Sequence, residues 1–306
     1  MKLSLLTATL AALASPALAQ TPAPAPAAPA PAVQRITASK IILVGDSTTA
    51  VIGGWGPSFC ARHVTSFIAC VNLARGGRSS GSYIAEGSWD LALAEMSTPG
   101  YAATYVLIQF GHNDQPGKPG RSTDLATEFP ANLRRYVEET RARGAIPVLL
   151  TPLTRRQFID GALQNDLEPW AQAVRQVAAE TNTPLVDLNA DSVAAVQVLG
   201  PVLSARFAQA APSSEVAAAL FTGTTIAAST GVPQTPVPAA TAAPAAAAVA
   251  SPQTQAAANA AAEPLGQART AFDYTHLGSD GADFFSAMVT RGLVVAVPAL
   301  RRALVP

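Results

Sequence analysis

The sequence predicts an α/β fold in which helices cover both faces of a parallel β-sheet. Five short apolar runs are candidate strands, and several are continuous rather than alternating, which is typical of strands buried on both faces. Apolar residues at helical spacing separate the later runs. Strands that alternate with helices along a chain usually form a parallel sheet between two layers of helices. In such sheets, functional sites lie beyond the carboxyl ends of the strands.

The candidate elements can be read in chain order. The five predicted strands are "IILV" (41–44), "SFIACV" (66–71), "ATYVLIQF" (103–110), "AIPVLL" (145–150) and "PLVDL" (184–188). A helix with Pro130 in its first turn is predicted between the third and fourth strands, and its inward positions are Phe129, Leu133, Tyr136, Val137 and Thr140. A second helix, behind Pro169, has Trp170, Val174 and Val177 at the same spacing. A last amphipathic segment runs over about 283–297.

Residues 1–35 are predicted to precede the folded domain. Residues 1–19 combine Lys2, an apolar stretch from Leu3 to about Leu13, and small residues at 17 and 19, which is the plan of a secretory signal peptide cut after Ala19. The apolar stretch is too short to span a bilayer, and no cysteine directly follows the cleavage site, so we expect no membrane anchor. Residues 20–35 are rich in proline and alanine and are predicted to be an extended linker. We therefore expect a secreted or periplasmic protein.

A single domain is predicted over residues 36–306, with a low-complexity insertion at about 208–264. Between Arg206 and Arg269 only Glu215 and Glu263 carry charge, and alanine and proline dominate. The repeated prolines oppose a continuous helix, although alanine favours one. We expect a flexible loop here, because foldable sequence resumes after it. The remaining segments, about 210 residues, are enough for one domain with its own core.

Composition excludes several kinds of partner. Twenty basic and twenty acidic side chains give a formal net charge of zero, and no basic run suggests nucleic acid. The three histidines are too scattered for a metal cluster, and no Cys/His spacing indicates zinc, so we expect no metal and no cofactor. After export, Cys60 and Cys70 would lie in an oxidising compartment, where they form a disulfide or remain two buried thiols. We favour the disulfide.

Three consecutive predicted strands end in short polar motifs. After the first, "GDSTTA" places Ser47 where its hydroxyl would face the crevice at the sheet edge, or where it would cap a helix. After the second, "NLARGGRSSGS" contains Gly76 and Gly77, which let backbone amides approach a ligand or simply form a turn. After the third, "GHND" supplies the side-chain amide of Asn113, either as a ligand donor or as part of a polar turn.

The segment "AFDYTHLGSDG" (271–281) adds an Asp-x-x-His pair, Asp273 and His276, before the last predicted helix. By itself such a pair is more typical of a helix cap beside a surface histidine. Acyl transfer by serine, however, needs a nucleophile, a base, a carboxylate that orients the base, and donors for the developing oxyanion. The four motifs together supply all of these parts.

In this order, the motifs resemble the four blocks of the SGNH (GDSL-type) hydrolase superfamily. "GDSTTA", "ARGGRSS", "QFGHND", "TPLTRR" and "DYTHLG" are similar to its rhamnogalacturonan acetylesterase-like branch, and the resemblance covers about 38–205 and 268–297. It implies a flavodoxin-like three-layer αβα sandwich with a five-stranded parallel sheet. It also implies that Ser47 is the nucleophile, His276 its general base and Asp273 the orienting carboxylate. The oxyanion hole would consist of the backbone N–H groups of Ser47 and Gly77 and the side-chain amide of Asn113.

The function implied by the resemblance is that of an exported serine esterase. It would remove O-acetyl groups from a plant cell-wall polysaccharide through an acyl-enzyme on Ser47, with pectic rhamnogalacturonan favoured and acetyl-xylan next. Two alternatives stay open: a general short-chain carboxylesterase or lipase-like hydrolase, and a carbohydrate-binding protein without turnover. We expect a monomer whose partner is an acetylated polysaccharide or oligosaccharide.

Overall fold

The computed structural model describes residues 37–228 and 271–306. The predicted signal peptide at 1–19, the linker at 20–35 and the part of the predicted insertion at 229–264 lie outside the described residues.

A five-stranded parallel sheet forms the centre of the fold. In chain order the strands are β1 (Ser39–Gly45), β2 (Ile68–Asn72), β3 (Thr104–Gln109), β4 (Ile146–Leu150), β5 (Phe158–Ile159), β6 (Ala162–Leu163) and β7 (Leu185–Val186). The main sheet has the order β2-β1-β3-β4-β7 with parallel pairing throughout, and β5 and β6 form a small antiparallel pair. Each strand of the main sheet corresponds to one of the five predicted apolar runs.

Eight helices lie in the described segments. They are α1 (Gly56–Ser58), which continues as a π-helical turn (Phe59–His63), α2 (Ser80–Ala85), α3 (Ser88–Met96), α4 (Glu128–Ala142), α5 (Glu168–Glu180), α6 (Leu188–Ser204), α7 (Ser214–Leu220) and α8 (Ser279–Ala296). Two short 3-10 turns cover Ala205–Phe207 and Pro298–Leu300. The three predicted helices are confirmed as α4, α5 and α8. Within 37–228 and 271–306, no helix has the length and apolarity needed to cross a membrane.

The core is divided by the sheet into two layers. In β1, Ile41 and Leu43 face a layer built with α1, α6 and α8, whereas Ile42 and Val44 face a layer built with α3, α4 and α5. This alternation leaves the strand buried on both faces, as its continuous apolar run predicts. The five inward positions predicted for the helix between β3 and β4 are the five buried residues of α4. The three-layer αβα sandwich implied by the resemblance is therefore confirmed.

The two cysteines form a disulfide. Cys60 lies in the π-helical turn and Cys70 in β2, and their sulfur atoms are 1.96 Å apart. The bond ties the segment that follows the "GDSTTA" motif to the edge strand of the sheet. The disulfide favoured from the sequence is present, and the alternative of two free thiols is excluded.

The start of the predicted insertion needs a correction. Residues 208–228 are described and contribute to the fold: α7 buries Val216 and Leu220 against Phe272 and Tyr274. Ser213 caps this helix by accepting a hydrogen bond from the backbone N–H of Val216. The alanine-rich composition concealed the helix, because only two large apolar residues, four positions apart, define its buried face.

Strand order determines where a site can form. The order of the sheet reverses between β1 and β3, and such a switch point leaves a crevice outside the carboxyl ends of the strands. The "GDSTTA", "NLARGGRSSGS" and "GHND" motifs follow β1, β2 and β3 directly. All three polar motifs therefore lie at the edge where this fold class places its ligands.

Candidate active site

Ser47 lies in the tight turn that follows β1, and only 9% of its surface is exposed. The preceding carboxylate, that of Asp46, accepts hydrogen bonds from the backbone N–H of Thr48 at 2.9 Å and from its hydroxyl at 2.7 Å. The carboxylate of Asp46 rather than the hydroxyl of Ser47 therefore closes the turn, which argues against the helix-cap interpretation of Ser47. In the part of the chain that the structure describes, the Ser47 hydroxyl forms no hydrogen bond; catalytic hydrogen bonds often tighten only when substrate binds.

A buried glutamine on a neighbouring strand holds the turn at Ser47 in place. Gln109, at the end of β3, is 1% exposed. Its Oε1 accepts hydrogen bonds from Trp55 Nε1 at 2.7 Å and from Thr49 Oγ1 at 3.0 Å, and its Nε2 donates to Thr48 Oγ1 at 3.0 Å. The residues on both sides of the turn are thus attached to the central strands. The motif "QFGHND" contains Gln109, but nothing in it indicated that this side chain binds Thr48, Thr49 and Trp55.

The predicted oxyanion donors lie on loops that are hydrogen-bonded to each other. The side-chain amide of Asn113 donates to the carbonyl of Arg78 at 3.1 Å, which uses one of its two N–H groups. Gly77 has a φ of +73°, a conformation that favours glycine. The backbone N–H of Arg75 donates to the carbonyl of Gly45 at 2.9 Å, so the glycine loop lies beside the turn of Ser47. Among residues 37–228 and 271–306, no acceptor pairs with the backbone N–H of Ser47 or Gly77.

The other two polar residues of "GHND", His112 and Asp114, hold the loop through buried hydrogen bonds. His112 Nδ1 is 3.2 Å from Asp46 Oδ2, and burial lowers the pKa of His112, so a neutral imidazole donates this hydrogen bond. Asp114 accepts hydrogen bonds from the backbone N–H of Ser80 at 3.0 Å and from the hydroxyls of Ser80 and Thr123 at 2.6 and 3.0 Å. Burial raises the pKa of Asp114 to about 7, although these hydrogen bonds lower it. Both side chains are engaged in the loop itself, so Asn113 remains the candidate oxyanion donor of this motif.

Asp273 and His276 form a close pair. His276 Nδ1 is 2.7 Å from Asp273 Oδ2, while Oδ1 of the same carboxylate accepts the backbone N–H groups of Thr275 at 2.7 Å and His276 at 2.6 Å. The hydrogen bond and the charge of Asp273 raise the pKa of His276 against the effect of burial. Burial raises the pKa of Asp273, but its bonds to His276 and Thr275 outweigh this and lower it to about 2. With Nδ1 engaged, Nε2 is the ring atom that can accept a proton.

A buried arginine holds the main chain of the Asp-x-x-His loop. Arg156 is 1% exposed, and its guanidinium donates to the carbonyls of Asp273 at 3.0 Å, Thr275 at 3.2 Å and His276 at 2.8 Å. Burial lowers its pKa to about 10, so the group remains a cation near neutral pH. The "TPLTRR" motif contains Arg156, but nothing in that motif indicated what the side chain binds.

The Asp-x-x-His loop lies against the segment that follows Ser47. The backbone N–H of Leu277 donates to the carbonyl of Gly53 at 2.8 Å, and that of Gly278 donates to the carbonyl of Phe207 at 2.8 Å. Gly53 has a φ of +83°, and a Cβ at this position would lie 3.3 Å from Cδ2 of His276. The structure therefore brings the imidazole next to the loop that begins at the serine.

The assembled groups match the requirements of acyl transfer. A hydroxyl at the edge of the sheet, an imidazole oriented by a carboxylate, and N–H donors on two neighbouring loops can together form and break an ester bond. Within the described ranges, no group of three or more His, Cys, Asp or Glu side chains is placed to hold a metal ion.

The chain is similar in sequence to known proteins. The sequence profile of the GDSL-like Lipase/Acylhydrolase family matches residues 43–205. The "Probable rhamnogalacturonan acetylesterase YesY" of Bacillus subtilis (strain 168) is 36% identical over 164 residues, which is 51% of this chain and 73% of that protein. The "Rhamnogalacturonan acetylesterase RhgT" of the same organism is 35% identical over 175 residues, which is 55% of this chain and 72% of that protein.

A solved structure supports the fold. The Bacillus subtilis protein YXIM superimposes with a TM-score of 0.53 at 19% sequence identity, over 85% of this chain. The match spans 57% of that protein. At this identity the likeness concerns the arrangement of strands and helices.

The pH dependence of ester hydrolysis tests the pairing around His276. A general base must be neutral, so kcat/KM should rise with pH through the pKa of His276, which lies above the ordinary histidine value. Asp273→Asn removes the partner that raises this pKa, so the midpoint should fall, with a rate loss on the order of 10⁴. Arg156→Met removes a cation that lowers the pKa of His276, so the midpoint should rise. The measurement is kcat/KM for an aryl acetate from pH 5 to 9.

Arg156→Lys serves as the matched control, because it keeps the charge while losing hydrogen bonds to the three carbonyls. This substitution should lower kcat without moving the midpoint of the pH dependence of kcat/KM. Identical pH profiles for Arg156→Met and the unmodified protein would contradict an electrostatic influence of Arg156 on His276.

Proposed function

Because this chain belongs to the GDSL-like lipase/acylhydrolase family, and is thereby a carboxylic ester hydrolase, we propose that it removes O-acetyl groups from an acetylated plant cell-wall polysaccharide. Pectic rhamnogalacturonan is the favoured substrate, since two relatives at 35–36% identity are named rhamnogalacturonan acetylesterases. The observation that carries the proposal is the Asp273–His276 pair, held at 2.7 Å on a loop that is hydrogen-bonded to the segment following Ser47.

In the first half-reaction, the Ser47 oxygen attacks the carbonyl carbon of the acetyl ester while Nε2 of His276 takes the hydroxyl proton. The carbonyl oxygen becomes an oxyanion, which accepts hydrogen bonds from the backbone N–H groups of Ser47 and Gly77 and from the Asn113 amide. When the tetrahedral intermediate collapses, the bond to the sugar oxygen breaks and His276 returns its proton to that oxygen. The deacetylated sugar leaves, and an acetyl ester remains on Ser47.

In the second half-reaction, water replaces the sugar. His276 takes a proton from the water as it attacks the acetyl carbon, and the same donors stabilise the second oxyanion. Collapse of this intermediate returns the proton to the Ser47 oxygen and releases acetate. The ionised Asp273 stabilises the imidazolium in both half-reactions, which is consistent with its pKa of about 2.

The surroundings of the site suit a sugar polymer. A depression of about 270 Å³ opens beside the His276 loop and is lined by residues that include Val51, Gly53, Gln209 and Leu277. Val51, in this lining, is 63% exposed, and the adjacent Ile52 is 46% exposed. Apolar side chains beside polar groups fit the mixed character of a pyranose ring, whose faces are apolar and whose edges carry hydroxyls.

We also propose that the protein is exported after removal of residues 1–19. The pattern of charge, apolar stretch and small residues in this segment supports export. The disulfide between Cys60 and Cys70 is consistent with an oxidising compartment.

Substitutions of Ser47 and Asn113 test the proposed chemistry. Ser47→Ala should reduce hydrolysis of an aryl acetate to background, because the nucleophile is lost. Asn113→Asp keeps the shape of the side chain but removes its N–H donors, so kcat should fall by about 10²–10³. Ser97→Ala, a serine at the end of α3 that donates to the carbonyl of Leu93, should keep full activity. Unchanged turnover by Ser47→Ala would contradict the acyl-enzyme on this residue.

A panel of esters tests the substrate. We expect acetate release from acetylated rhamnogalacturonan, less from acetyl-xylan, and much slower cleavage of octanoate than of acetate aryl esters. Equal rates on acetate and octanoate, with no release from either polymer, would favour a general short-chain or lipase-like esterase. Binding to the polymers without acetate release would favour a carbohydrate-binding protein.

Amino-terminal sequencing tests export. After expression of the full chain in a bacterial host that secretes proteins, the protein isolated outside the cytoplasm should begin at Gln20. A protein that stays in the cytoplasm and still contains residues 1–19 would contradict this proposal.

A further inference from the structure

Two cations lie beside the proposed oxyanion hole. They belong to the segment 115–122, which follows the "GHND" motif. Lys118 Nζ donates to the carbonyl of His112 at 2.5 Å, and Arg121 Nη1 donates to the carbonyl of Gly77 at 3.2 Å. Gly77 itself and Asn113, the residue after His112, carry proposed oxyanion donors. Since consecutive Cα atoms are 3.8 Å apart, both charges lie within about 10 Å of the position of the acetyl carbonyl.

Neither cation has a carboxylate partner in the segments that the structure describes. A third cation nearby, Arg155, does have one, since it forms an ion pair with Asp166. Lys118 and Arg121 are both only partly buried. Among the described residues, the hydrogen bonds of both charged groups are to backbone carbonyls.

Holding these charges together is unfavourable without a ligand. Burial lowers the pKa of Lys118, and so do the charges of Arg155 and Arg121, whereas Asp46 and Asp114 raise it less. A neutral amide side chain, such as that of glutamine, could donate to the same carbonyls without repulsion between positive charges. Clustered cations at the edge of a cleft attract anions, so an anionic group in the substrate would explain why the charges are present.

We propose that Lys118 and Arg121 bind a sugar carboxylate that lies close to the acetyl ester of the substrate. This rests on the proposed function, since the oxyanion hole defines where the acetyl group lies. Arginine can contact a carboxylate through two parallel N–H bonds, and lysine provides a compact charge beside it. The subsite would select a polymer that carries uronate carboxylates, such as a pectic backbone, over a neutral xylan.

Methyl esterification of the substrate tests the subsite. The same acetylated rhamnogalacturonan oligosaccharides are prepared with free carboxylates and with methyl-esterified ones, and kcat/KM for acetate release is compared. The unmodified protein should prefer the free acid by about tenfold, as expected for a hydrogen-bonded charge. Lys118→Gln and Arg121→Gln should each reduce this preference, mainly through KM on the acid form. Arg301→Gln, which neutralises an exposed arginine after the last 3-10 turn, should retain it.

Each outcome of this comparison either supports or overturns the carboxylate subsite. An equal loss on both substrates in the two variants would overturn the subsite and assign the cations to supporting the oxyanion loops. Equal acetate release from both substrates by the unmodified protein would overturn it without variants, while leaving the proposed function intact. Hydrolysis of an aryl acetate without release from either oligosaccharide would overturn the proposed function and the subsite together. A preference that shrinks as salt rises would support a charge interaction.

Discussion

The site depends on one buried cation that holds a loop without regular secondary structure. The guanidinium of Arg156 donates to three carbonyls of the Asp-x-x-His loop, and hydrogen bonds to charged groups are each worth about 1.5–3 kcal/mol. Arg156 depends on the loop in turn, because a buried charge without partners costs several kcal/mol. From the other side, Asp273 fixes the same loop with Oδ1 and the imidazole of His276 with Oδ2. Loop shape and ring orientation are therefore set together.

The turn at Ser47 is rigid for a related reason. Polar side chains lie beneath it, but they are paired with one another: Asp46 with Thr48 and His112, and Gln109 with Thr48 and Trp55. A paired buried network costs little and restricts movement, whereas an unpaired one would destabilise the turn. The parallel sheet brings this turn, the glycine loop and the "GHND" loop to one edge, so the proposed donors lie on neighbouring loops.

Local patterns predicted the framework, while the supporting contacts depend on tertiary structure. Continuous apolar runs located the five strands, and helical spacing identified every buried residue of α4. The motifs located the candidate Ser47, Asn113, Asp273 and His276, because each of them stands at a strand or helix end. Arg156 was missed because its partners are 117–120 residues away along the chain. The helix α7 was missed because its apolar face is too small to appear in an alanine-rich stretch.

The hydroxyl of Tyr274 donates to the carbonyl of Ile226 at 2.8 Å, although 48 positions separate the two residues in the sequence. Two points that are distant in the sequence thus lie close together in the fold. A flexible connection between two such points costs only about 0.6 kcal/mol more for each doubling of its length. The same crossing point could host a foreign module, such as a second carbohydrate-binding unit, without displacing the imidazole that stands two residues further on. Evolution or engineering can therefore diversify this protein at a position adjacent to its chemistry.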